Sequence, residues 1–144
     1  MRIATTALLI LAVPTAADDA KKALADLQGK WEFTEVTEGG RKVDAEKLKA
    51  FSITFTGDQA EMPFDGRKAI SQTVTLRPAA NPREIDLQYP PEIEGGQTRP
   101  GIYKLEGGVL TLAIGVGKDA KRPASFESTG RPNPSVVMVL KKAK

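Results

Sequence analysis

From residue 29 onward, apolar side chains recur at every second position over most of the chain, which is the period of a half-buried β-strand. Trp31-Glu32-Phe33-Thr34 opens one such segment, which runs to the glycine turn Gly39-Gly40. Phe51-Ser52-Ile53-Thr54-Phe55-Thr56 alternates most cleanly, with an apolar face and a hydroxyl face. Gly57-Asp58 turns the chain. Ala60, Met62 and Phe64 form the apolar side of the next strand, and Asp65-Gly66 is a hairpin signal. Residues 70–76 predict a strand with Ile70, Val74 and Leu76 on one face and Gln72 among them, followed by a loop marked by Pro78 and Asn81-Pro82. Residues 84–89 alternate again, and residues 90–96 read as a loop. Two further strands, residues 101–105 and 109–114, flank Glu106-Gly107-Gly108. Residues 115–134 form the longest irregular stretch, and residues 136–140 are an uninterrupted apolar run.

Before residue 29 the period is helical. Ala20, Ala23, Leu24 and Leu27 fall on one face, Asp18-Asp19 supplies a capping acid, and Gly29 stands where a helix-terminating glycine belongs. Residues 44–48 resemble one capped helical turn. About eight strands at near-regular spacing, joined by short turns, predict an all-β fold: an antiparallel up-and-down β-barrel with a short N-terminal helix. The last strand is apolar on both faces, so its outside needs a cover, and the amphipathic N-terminal helix is the expected one.

Residues 1–17 read as a secretory signal peptide. Met1-Arg2 provides the positive start, residues 3–13 an uncharged and mainly apolar stretch, and Thr15-Ala16-Ala17 the small residues before a cut. Residues 18–144 then form a single domain, exported to the periplasm or beyond the cell. The apolar stretch is too short to span a bilayer, and no later segment approaches that length. Cysteine is absent, so neither disulfides nor an N-terminal lipidated cysteine contribute. The net charge of +3 is spread along the chain, and only Lys141-Lys142-Ala143-Lys144 is locally basic. A nucleic-acid partner is not expected, because no basic stripe with interleaved aromatics is present. A monomer is assumed.

The absence of histidine removes Ser-His-Asp and Cys-His nucleophile systems, and the absence of cysteine removes thiol chemistry and thiolate metal sites. No catalytic residue, metal site or cofactor is expected, and a non-enzyme is the expectation. Asp18-Asp19 and Glu92-x-Glu94 lack the spacing of a calcium loop. Gly115-Val116-Gly117-Lys118 fails as a phosphate loop, since Leu112 and Asp119 occupy positions that need glycine and a hydroxyl residue. In the long loop, Phe126 is a candidate plug for a barrel mouth and Arg122 a candidate cation for an anionic ligand. The simpler roles are an apolar anchor and a solvated or ion-paired arginine.

Several segments occur in a telling order: Leu27-Gln28-Gly29-Lys30-Trp31, Ala45-Glu46-Lys47-Leu48-Lys49, Phe55-Thr56-Gly57-Asp58 and Pro82-Arg83-Glu84-Ile85-Asp86-Leu87. Gly101-Ile102-Tyr103-Lys104-Leu105, Arg122-Pro123-Ala124-Ser125-Phe126 and Val139-Leu140-Lys141-Lys142 follow. Gly29-x-Trp31 after a short helix resembles the first-strand motif of lipocalins. The whole pattern resembles an exported, lipocalin-like domain family of unknown function abundant in planctomycete bacteria, over nearly all of residues 24–142. The resemblance implies that Gly29 and Trp31 mark one barrel end, with Trp31 lying beneath a cation from the last strand. That cation is Lys141 or Lys142, and Lys141 is the candidate carried forward. Lysine stands where lipocalins carry arginine.

The leading functional expectation is non-catalytic binding of a small apolar or amphipathic molecule inside the barrel. Strand alternation nominates Phe33, Phe51, Ile53, Phe55, Tyr103, Leu105, Leu110, Leu112 and Ile114 as its lining. An eight-stranded barrel is just wide enough to be filled by side chains or to hold one small ligand. The alternative is therefore an envelope or extracellular interaction protein with a filled barrel, which works through loop 115–134.

Overall fold

The computed structural model describes Val13, residues 15–64 and residues 67–144. Most of the expected signal segment and the Asp65-Gly66 turn lie outside the described residues. Helix α1 (Ala16–Leu27) is followed by β1 (Gly29–Glu38), β2 (Arg41–Lys42) and the single turn α2 (Ala45–Leu48). Then come β3 (Ser52–Thr56), β4 (Gln59–Phe64), β5 (Arg67–Arg77), β6 (Glu84–Gln88), β7 (Thr98–Glu106), β8 (Val109–Gly115) and β9 (Ser135–Lys142). From β3 to β9 each strand pairs antiparallel with the next, and β1 pairs with both β3 and β9. The result is the expected closed, eight-stranded up-and-down barrel of lipocalin-like type. The short β2 only extends β1 as a hairpin.

Closure depends on how β1 bends. Its first residues pair with β3 (Gly29 opposite Phe55, Trp31 opposite Ile53), and from Trp31 onward it also pairs with β9. The register shifts between Phe33 and Glu35, a bulge that leaves Thr34 unpaired in the ladder. Its hydroxyl donates to the Val139 carbonyl at 3.1 Å. One extra residue exchanges the two faces of a strand. Val36 and Glu38, opposite Met138 and Val136, therefore continue the inward face begun by Trp31 and Phe33. A second bulge at Pro63 bends β4, where a residue without an N–H costs the ladder least.

One end of the barrel is sealed by α1. Asp18-Asp19 is the expected source of the cap, but the helix begins earlier. Thr15 is the N-cap, and its hydroxyl accepts from Asp18 N at 3.2 Å while the Asp18 carboxylate accepts from Thr15 N at 3.3 Å. This reciprocal box outcompetes a single acid as a start signal. The cut expected after Ala17 thus falls inside α1. Leu27 at the other end of the helix is fully buried in the barrel core. The Gln28 side chain then pairs like a strand with the Gly57 backbone, donating to its carbonyl at 2.9 Å and accepting from its N–H at 2.8 Å. Helix and barrel floor are fastened together at the β3–β4 turn.

The outside of β9 has a different cover from the one expected. Because α1 is spent on the barrel end, residues 116–134 fold back over the outer face instead. There Phe126 packs on Ile102, Ala113 and Val137. The return is possible because position 115 is glycine: a Cβ there would collide with the Lys121 carbonyl. Ser135, also buried, ties the strap down by accepting from Thr129 N at 3.0 Å and donating its own N–H to the Thr129 carbonyl at 2.9 Å.

Candidate ligand cavity

The inward face is not filled evenly. Toward the α1 end, Trp31, Ile53, Phe55, Leu76, Tyr103 and Leu112 meet in one continuous buried core with Leu27 and Leu140. Toward the opposite end a cavity of about 350 Å³ remains. Its apolar walls are Met62, Ile70, Leu87, Ile114, Val136 and Met138, and its polar lining includes Glu38, Gln72, Tyr89 and Arg99. A second recess of about 180 Å³ shares Glu38, Met62, Val136 and Met138 with it. This recess reaches out to Leu48 and Phe51, where β1 and β3 diverge and α2 fills the gap.

Two loops are joined at the rim. Gln97 donates its side-chain N–H to the Gly117 carbonyl at 2.9 Å, linking the β6–β7 and β8–β9 connections. Arg99 lies against the Tyr89 ring, 5.1 Å from its centroid, and pairs through Nη2 with Glu94 at 3.2 Å. Glu94 thus compensates its charge, while Arg99 Nε is buried with no hydrogen-bond partner among the described residues. Glu38 has no ion-pair partner among the described residues. Gln72 is only 7 % exposed, and its side-chain amide makes no hydrogen bond among the described residues.

The nine nominated lining residues divide three ways. Ile114 borders the main cavity, and Phe33 and Phe51 border the adjoining recess. Phe51 precedes β3 and is half-buried there, since the strand starts at Ser52. Ile53, Phe55, Tyr103, Leu110 and Leu112 point inward as expected, but into the filled half, and Leu105 packs against that core. None of these six lines the cavity. Alternation reports which way a side chain points and not how far along the barrel it lies.

At the sealed end, Trp31 is buried as expected, and its Nε1 donates to the Leu27 carbonyl at 2.7 Å. The cation above it is Lys142, with Nζ 5.4 Å from the ring centroid, and not Lys141. The register dictates this: Trp31 stands opposite Lys142 and shares its face, whereas Lys141 stands opposite Glu32 and points outward. Gly29, with φ of +105°, holds a backbone conformation that favours glycine where a Cβ would press on Lys142 Cε at 3.2 Å.

Neither loop candidate reaches the mouth. Phe126 is the outer-face anchor, and Lys104 Nζ lies 4.8 Å from its ring centroid. Arg122 pairs with Asp86 at 2.9 Å and Glu84 at 3.6 Å, and donates to the Gly101 carbonyl at 2.8 Å. Arg77 meets the same two acids at 2.5 and 3.0 Å, and these hydrogen bonds, Asp86 first, hold its guanidinium pKa above the ordinary value. The four charges compensate one another and strap the loop to β6, so Arg122 is spent on structure.

Sequence reasoning missed Arg99 because Pro100 disguised the start of β7, which begins at Thr98; Tyr89, just past the end of β6, continues the alternation of Ile85 and Leu87 and was open to the same argument as the other lining residues. Val136 and Met138 were missed because an uninterrupted apolar run hides its own alternation. Gln72 was the available signal: one polar residue on an otherwise apolar inward face. Among the described residues no group of three or more metal-ligating side chains occurs, and no helix is long and apolar enough to cross a membrane. Comparison with protein-family models, with curated proteins and with solved structures finds no match to this chain.

Proposed function

We propose that this protein binds a small apolar or amphipathic molecule, without catalysis, in the open half of its barrel. The observation that carries the proposal is the cavity of about 350 Å³ walled by Met62, Ile70, Leu87, Ile114, Val136 and Met138. It falls within the ~300–1,000 Å³ range of small-molecule sites and pairs apolar walls with a few polar groups, as such sites do. A barrel serving only as scaffold gains nothing from a hollow half, because unfilled apolar space forfeits packing. The proposal extends to export through a signal at residues 1–17, and to membership of the lipocalin-like family that the ordered segments resemble.

The test is saturable binding of a neutral, polarity-sensitive dye such as N-phenyl-1-naphthylamine. Val136 borders both the cavity and the recess. Val136→Phe places a ring in that shared space and is expected to weaken the dye about tenfold or more, equivalent to ~1.4 kcal/mol. Unsaturable binding, or binding indifferent to Val136→Phe, refutes the proposal. Residues 1–17 are tested by intact mass of the exported protein, which is expected to begin at or near Asp18; retention of Met1 refutes the export signal.

A further inference from the structure

Gln72 stands at the boundary between the two halves. On β5 it is one inward position deeper than Ile70, which borders the cavity, and one shallower than Val74, which is buried in the core. It is 7 % exposed, lines the cavity, and its amide is unpartnered among the described residues. The amide is open to the cavity and not sealed in the core, so a ligand that covers it without hydrogen-bonding it incurs a desolvation cost. An unpartnered amide that faces an apolar cavity is a hydrogen-bonding point for whatever occupies it.

We propose that the ligand carries an uncharged hydroxyl or carbonyl group that hydrogen-bonds Gln72 at the cavity floor, with the apolar remainder against Met62, Ile70 and Met138. This rests on the ligand-binding reading above and specifies its chemistry. An amide offers one donor edge and one acceptor edge, so a hydroxyl satisfies both and a carbonyl one. An ionised group fits poorly. At the floor a carboxylate would lose water, and the charge of the lining cation Arg99 is compensated by Glu94 at 3.2 Å, although Arg99 Nε is itself buried without a partner. At the rim Glu38 adds a further negative charge. The site thus selects a neutral amphipath over a fatty-acid-like anion.

The experiment measures displacement of N-phenyl-1-naphthylamine by three eight-carbon probes: octan-1-ol, octane and octanoate. At pH 7 octan-1-ol is expected to bind roughly tenfold more tightly than octanoate. Gln72→Leu is expected to cost the alcohol about five- to tenfold in affinity while leaving octane unchanged. Octanoate binding as tightly as octan-1-ol in the wild type, a comparison independent of any variant, overturns the inference. So does undiminished alcohol affinity in Gln72→Leu. Either result leaves the ligand-binding reading standing, whereas a wild type with no saturable dye site removes both.

Discussion

The two halves of this barrel are made by the same eight strands and differ in what those strands turn inward. Toward α1 the inward positions carry Trp31, Phe55, Tyr103 and a set of leucines and isoleucines that meet in one dry core. Toward the mouth they carry Met62, Ile70, Gln72, Met138 and Val136, which line the cavity, with Met62 and Met138 also packing against the core below it. The sealed half is also the tethered half. The Trp31 indole bonds the Leu27 carbonyl, Gln28 grips Gly57, and Lys142 lies over the indole ring. At the mouth the ties run between loops, Gln97 to Gly117 and Arg99 to Glu94. One half supplies the stability that the other, with its open cavity, gives up. Division of labour along a barrel axis needs no second domain.

The strongest way to break this comparison is to open the sealed end. Trp31→Ala removes the largest fully buried side chain, its hydrogen bond to α1 and the seat of Lys142. A loss of about 3–5 kcal/mol in denaturant unfolding is expected. A loss below ~1 kcal/mol would show that the sealed half is not where stability resides.

A gentler experiment adds the same ring to each half. Leu112 is wholly buried among close neighbours, so Leu112→Phe should cost about 1–3 kcal/mol through overpacking. Val136→Phe, aimed into the cavity, should cost under ~1 kcal/mol while it weakens dye binding. Equal costs at the two sites would mean that both halves are packed alike.

Much of this asymmetry was invisible in the sequence, although the barrel itself was not. Period-two alternation is local and survives in any strand with one wet face, so β1, β3, β6 and β8 were legible at once. Position along the barrel axis depends on register between strands. Register here rests on bulges at Thr34 and Pro63 that no alternation pattern announces. The error over Lys141 and Lys142 has this origin: a single step of register moved the cation from one face to the other. The cover of β9 was misjudged for a different reason. Amphipathicity shows that α1 must bury a face, but not which of two apolar surfaces receives it, and Phe126 served the second. Gln72 was legible as an anomaly, but its meaning required the cavity.

The smallest expected effect contrasts two unpartnered polar groups, Gln72, which is open to the cavity, and Tyr103, which is sealed in the filled half. Tyr103 lies in the filled half, and its hydroxyl is buried with no hydrogen-bond partner among the described residues. Unlike Gln72 it borders no part of the main cavity, so no ligand is expected to meet it. Burial is the chief cause that pushes its phenol above the ordinary value of 10.0; Arg83 pulls it down and Asp26 pushes it up. The sign of the pH effect follows. Above pH 10 the unfolded tyrosine releases its proton while the folded one retains it, so the unfolded state binds fewer protons and stability declines as pH rises. The decline starts near the unfolded pKa and ends at the raised folded one; below pH 10 the contribution is fully present. Tyr103→Phe removes the ionisable group and the orphaned hydroxyl together. It should be neutral or stabilising by up to ~1 kcal/mol at pH 7, and should flatten the loss of stability above pH 10. Dye binding should be unchanged, whereas Gln72→Leu should alter ligand preference. Denaturant titrations of wild type and Tyr103→Phe at pH 7 and at pH 10.5–11 decide the matter. A variant that loses stability at pH 7 would show that the Tyr103 hydroxyl has a partner, and parallel alkaline slopes would show that its proton is not held by burial in the sealed half.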